Sequence, residues 1–148
     1  MKSTRSLLFL ARHLEALVRL WQARIELARS SWRAALQRGQ KVRASVDRFE
    51  GGDEERLRQV ERALLRTSRL VYGATCIHRA LAARRMLADR GLSAQVVIGL
   101  RKREGVLEGH AWIETQGGGG PLRAFCAEGA EYSAIVDPGD AGVDRFAP

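Results

Sequence analysis

Residues 73–115, GATCIHRALAARRMLADRGLSAQVVIGLRKREGVLEGHAWIET, decide the architecture. Behind Cys76 the apolar residues Ile77, Leu81, Met86 and Leu87 recur at helical spacing, and Gly91 stands where a helix would stop. Ala94 to Leu100 is β-branched and apolar, as a buried strand is. A basic connection then leads to a second strand that opens at His110, where His-Ala-Trp-Ile-Glu alternates polar and apolar. Cys76 therefore falls in the first turn of a helix. Free backbone N–H groups and the positive end of the helix dipole favour an anion there. A histidine on a neighbouring strand can take the thiol proton and return it to a leaving amine. The pattern predicts a nucleophile, Cys76, and its base, His110.

Upstream, Leu7, Leu10, Leu14, Leu17, Val18, Trp21 and Ile25 track one helix face between residues 6 and 27, with Arg12, Glu15, Arg19, Arg24 and Glu26 largely off it. Such a stripe packs on its own domain or on a partner protein more often than on an anionic membrane. Trp32, Ala35 and Leu36 continue helical structure to about Arg38, Lys41 to Phe49 allows another turn or two, and Glu50-Gly51-Gly52 is a stop. Asp53 reads as an N-cap, and Leu57, Val60, Leu64, Ser68 and Val71 share one face of a helix over 53–71. Downstream, Gly117 to Gly120 reads as a hairpin turn, followed by strands at Leu122–Ala127 and Tyr132–Val136 and a turn at Asp137-Pro138-Gly139-Asp140. The expectation is one α+β domain over 1–148: a basic helical region at 1–72, a core at 73–140 with a cysteine-headed helix on an antiparallel sheet of about four strands, and a loose tail at 141–148.

The net charge of +8 is unevenly placed: residues 1–70 hold 16 Lys/Arg against 8 Asp/Glu, and residues 71–148 hold 9 against 9. The excess suits an acidic partner or a solvated helix face. No zinc finger, RNP-type motif or phosphate loop supports nucleic acid as that partner. The two cysteines, Cys76 and Cys126, do not form a disulfide framework and point to a reducing, cytoplasmic setting. The apolar run Leu7 to Ala11 stops at Arg12 and His13, short of a signal sequence, and no stretch approaches the ~20 apolar residues of a membrane span.

Four segments carry a family resemblance: GATCI at 73–77, RAL at 79–81, RGLSAQVVIGL at 90–100 and GHAWIE at 109–114. Together they resemble the stand-alone leader peptidase of lasso-peptide biosynthesis, a branch of the transglutaminase-like, papain-related cysteine enzymes. The resemblance implies a transglutaminase-like core and removal of the leader from a precursor peptide before macrolactam formation. It implies as partners the precursor leader, a separate leader-recognition protein and an ATP-using macrolactam cyclase, with no cofactor on this chain. It also implies a third catalytic residue, an acid after the histidine strand. Residues 121–125 offer no carboxylate, so Glu128 takes that place, with Asp137 as the later candidate. Glu114 shares the strand face of His110 but lies four residues along it, far from the ring.

The remaining candidates divide between chemistry and packing. His78 stands two residues from Cys76 on a helix and points away from the thiol. Trp112 either walls the site or fills the core, and Cys126 reads as strand filling. Cys76, His78, His110 and Cys126 are zinc-type ligands without the CxxC spacing of a zinc knuckle. The backbone N–H of Cys76 is the first oxyanion donor. Alternative readings are another transglutaminase-like hydrolase or acyltransferase, or a non-catalytic basic adaptor for an acidic peptide.

Overall fold

Alanines set how the helices meet. In the computed structural model, which describes residues 2–31, 34–35, 52–117, 120–125 and 132–136, helix α1 (Lys2–Arg29) is followed by α2 (Asp53–Thr67), a 3₁₀ turn (Ser68–Leu70) and α3 (Cys76–Ala88). Ala16, Leu20 and Ala23 of α1 are fully buried, as are Ala80, Leu81, Ala82 and Ala83 of α3. With methyl groups at the contact, the two backbones can approach closely and leave no void for larger side chains to fill. Leu57, Val60 and Leu64 of α2 join the same core cluster.

Among the described residues, four strands complete an α+β fold: β1 (Gln95–Arg103), β2 (Val106–Gly117), β3 (Gly120–Ala124) and β4 (Ser133–Val136). They form one antiparallel sheet in the order β3-β2-β1-β4. Ala111 and Ile113 of β2, Val96 of β1 and Ala124 of β3 belong to the core cluster shared with the helices. Side chains alternate across a strand, so His110 and Trp112 lie on the opposite face of the sheet.

Several expectations change here. Of the stripe Leu7, Leu10, Leu14, Leu17, Val18, Trp21 and Ile25, Leu17 packs against the core and the other six are exposed: Leu10 is 65% and Leu14 60% exposed, whereas Leu20 is 0%. The side that packs is the ribbon Ala16, Leu20 and Ala23, where the two alanines beside one leucine escape a pattern weighted towards large side chains. Asp53 is the first helical residue and not the N-cap, which is Gly52; its buried carboxylate meets Arg56 at 2.9 Å. The expected helix over 53–71 ends at Thr67 and tightens into the 3₁₀ turn. The second strand does not open at His110. The expected basic connection is strand: β1 runs through Arg103 and pairs in register with β2 from Val106 across a two-residue turn. Glu104 (φ 51°) and Gly105 (φ 85°) are both left-handed, the geometry of a hairpin turn that matches strand twist. Farther on, the register pairs Gly117 with Gly120, so the glycine run does connect β2 to β3. The expected helical turns at 36–38 and 41–49, the strand end at 126–127, the turn at 137–140 and the tail at 141–148 lie outside the described residues.

Candidate active site

The turn ahead of α3 delivers Cys76. Gly73 adopts φ 73°, which a side chain would resist, and the guanidinium of Arg24 closes over it to donate to the Tyr72 carbonyl. Thr75 is the N-cap in extended conformation and Cys76 the first helical residue. The first intrahelical bond runs from Arg79 N–H to Thr75 C=O (3.2 Å), so the Cys76 N–H is one of the donors a helix end leaves without an intrahelical acceptor. The Cys76 side chain is half-buried against the core cluster, and its thiol is free.

His78 explains itself structurally. Thr75 and His78 form a capping box, in which the Thr75 N–H donates to His78 Nδ1 at 3.1 Å and the Thr75 hydroxyl lies 2.8 Å from the same nitrogen. The ring must be neutral to accept there. Burial, with the nearby Arg24 cation, holds its pKa below the ordinary histidine value. His78 therefore builds the helix end on which Cys76 sits.

His110 lies mid-strand on β2, opposite Gly99 of β1. Its ring stacks between two aromatics, 5.2 Å from Tyr132 and 6.2 Å from Trp112 between centroids. Trp112 is 2% exposed, and its indole covers Gly99 so closely that a Cβ there would lie 2.8 Å from the ring. Trp112 thus both walls the histidine and is buried. Its Nε1–H donates to Glu114 Oε1 (3.0 Å), and Glu114 also pairs with Arg123 (2.8 Å). Glu114 serves Trp112 and β3, not the histidine.

The ring nitrogens of His110 are distinguished by one contact. Nε2 lies 2.7 Å from the carbonyl oxygen of Phe125. A carbonyl only accepts, so Nε2 carries the proton, and in the neutral ring Nδ1 is left with the lone pair. Nδ1 is the basic nitrogen. Phe125 follows the last residue of β3 with φ 63°, a left-handed conformation that costs a residue with Cβ roughly 1–2 kcal/mol. Its own N–H donates to Glu61 Oε1 of α2 at 2.6 Å. Sequence reasoning passed over Glu61 and the Phe125 main chain. A partner 64 residues away, held through backbone atoms, leaves no local pattern to read.

Among the described residues no hydrogen bond joins Cys76 to His110. The helix that starts at Cys76 packs against the strand that carries His110. Glu128, Asp137 and Cys126 lie outside the described residues. No group of three His, Cys, Asp or Glu side chains among the described residues could hold a metal ion. No helix among them is long and apolar enough to cross a membrane.

A cysteine heading a helix, followed by a strand histidine with a fixed tautomer, now meets an independent comparison. A family model described as the transglutaminase-like superfamily matches residues 17–132, more than three-quarters of the chain. The chain belongs to the transglutaminase-like superfamily. The match begins inside α1 and runs through α2, α3 and strands β1 to β3. Comparisons with curated proteins and with solved structures give no significant match. Membership supports a peptidase, hydrolase or acyltransferase activity, and this transglutaminase-like superfamily commonly includes cysteine peptidases.

Proposed function

We propose that this transglutaminase-like protein is a cysteine peptidase that removes the leader from a lasso-peptide precursor. The observation that carries the chemistry is the His110 tautomer: with Nε2 committed to the Phe125 carbonyl, Nδ1 is the nitrogen able to accept a proton. Superfamily membership supports the enzyme class. The GATCI and GHAWIE segments, which resemble the lasso leader peptidases, support the substrate.

In this reading His110 Nδ1 takes the Cys76 proton as Sγ attacks the scissile carbonyl. The developing oxyanion is held by the Cys76 N–H at the helix end. The imidazolium then protonates the departing amine, and water, deprotonated by the same nitrogen, hydrolyses the acyl-enzyme to release the leader and the free enzyme. The reading requires the thiol to meet Nδ1. The Cys76 side chain packs on the helix side of the sheet and His110 stands on the other face, so substrate binding has to bring the two together. With Nε2 on the Phe125 carbonyl and Nδ1 turned to the thiol, Glu128, with Asp137 as its alternative, is proposed as an acid that supports the imidazolium through its charge and not through a ring hydrogen bond. The proposed partners are the precursor leader, a separate recognition protein that presents it and the cyclase that takes the core peptide. The proposed setting is the cytoplasm.

The test is mass-spectrometric detection of leader release from a precursor presented by its recognition protein. Cys76→Ala is expected to abolish cleavage, and His110→Ala to lower the rate at least about 10³-fold. Glu128→Gln should cost less than His110→Ala, because a group that acts through its charge transfers no proton. Full cleavage by Cys76→Ala ends the peptidase reading.

A further inference from the structure

We propose that Glu61 of α2 is a positioning residue for His110, acting through the main chain of Phe125. The two hydrogen bonds lie on opposite sides of one residue: Glu61 Oε1 accepts the Phe125 N–H at 2.6 Å, and the Phe125 carbonyl accepts His110 Nε2–H at 2.7 Å. Between them the backbone turns through a left-handed conformation, φ 63°, that a phenylalanine does not hold without support. The Phe125 side chain is buried in the core cluster, which anchors the same residue at a third point. Loss of the Glu61 contact frees the peptide unit to relax towards ordinary backbone angles. The carbonyl then swings away from Nε2, and the ring loses the bond that sets its tautomer and its plane.

Glu61 is itself held. Its side chain is 17% exposed and pairs with Arg58 at 3.1 Å, and Arg58 also reaches the Arg123 carbonyl of β3 at 3.4 Å. Helix α2 thus clamps the end of β3 where the histidine's acceptor sits. Glu61 touches neither thiol nor imidazole, so its effect passes entirely through Phe125. The catalytic consequence rests on the peptidase reading; the structural one does not.

The experiment follows the His110 Nε2–H proton by NMR and, separately, leader cleavage. A hydrogen-bonded ring proton exchanges slowly and is visible downfield; an unbonded one is lost to exchange with water. In the wild type and in Glu61→Gln, which keeps an acceptor oxygen, the signal is expected to persist. In Glu61→Ala it should disappear, with kcat reduced about 10-fold or more and KM unchanged, since misplacement of a base affects the chemical step. Glu61→Asp keeps the charge and the helix but draws the carboxyl back by one methylene; it should lose the signal as well, and decides the matter where Glu61→Ala does not fold. A folded Glu61→Ala or Glu61→Asp with the wild-type ring proton overturns the proposal. A responsive ring proton in a protein that releases no leader leaves the Glu61 clamp standing and removes the peptidase reading instead.

Discussion

Gly99 is the narrowest point beneath the histidine. An added Cβ would meet Trp112 at 2.8 Å and the Tyr132 Cβ at 2.9 Å, and a buried indole cannot fold aside as a surface lysine can. Gly99→Ala is therefore expected to destabilise the chain by about 1–3 kcal/mol, the scale of an overpacked core. It should also disturb the two rings that flank His110, visible as a shift of the Trp112 emission and a slower leader release. Wild-type stability and emission in that variant would show that the second face of the sheet has room to spare. At this scale the sequence was half legible. Cys76 is expected at a helix start and His110 on a strand, and that is where the structure has them. The family resemblance implies a carboxylate partner for the histidine, and the contact just past β3 is a main-chain carbonyl (2.7 Å) whose position no side-chain identity reports.

Helix α3 owes its start to a local device. His78 at the third helical position closes the capping box with Thr75 and is useful only while neutral. Its pKa is held below 6.5 by burial and by Arg24, so the folded state binds its proton less readily than the unfolded chain. A group shifted this way contributes stability above its unfolded value of about 6.5 and loses it as pH falls through the lower folded value. Urea titrations from neutral towards mildly acidic pH should show stability falling in that window, and His78→Ala should flatten the fall while costing about 1 kcal/mol at neutral pH, the scale of a lost cap. An unchanged pH slope in His78→Ala would assign the slope to other groups. His78 points away from the thiol in the sequence pattern, and the capping box gives the residue its task. Hairpin β1–β2 was harder to read for a related reason. Arg101, Lys102, Arg103 and Glu108 look like a loop, yet Arg101 pairs with Glu108 across the two strands at 2.7 Å, so the charges extend the ladder they seemed to interrupt.

The molecule as a whole is fastened where α1 crosses α3. Around the alanine ribbon, Glu15 takes both guanidinium nitrogens of Arg90 (2.9 and 2.6 Å), Arg19 meets Asp89 (2.5 Å), and Glu26 pairs with Arg85. The Arg90 hydrogen bonds hold the Glu15 carboxyl below its ordinary pKa of 4.5. That contribution is present above the ordinary value and lost as pH falls through the lowered one, so Glu15→Gln should remove part of the acid-induced loss of stability seen by circular dichroism. The large apolar residues of α1 make the opposite claim from the one their periodicity suggests. Leu20 fills the contact and Leu14 faces outward, so the two leucines, six residues apart, should respond differently to substitution. Leu20→Ala opens a cavity between helices that already carry little besides methyl groups, and is expected to cost about 2–5 kcal/mol in a urea titration. Leu14→Gln exchanges one exposed side chain for another and should change stability by no more than about 0.5 kcal/mol. A loss above about 1 kcal/mol in Leu14→Gln would mean that the stripe is covered by the chain itself, and α1 would then pack through its large residues as their spacing alone predicts.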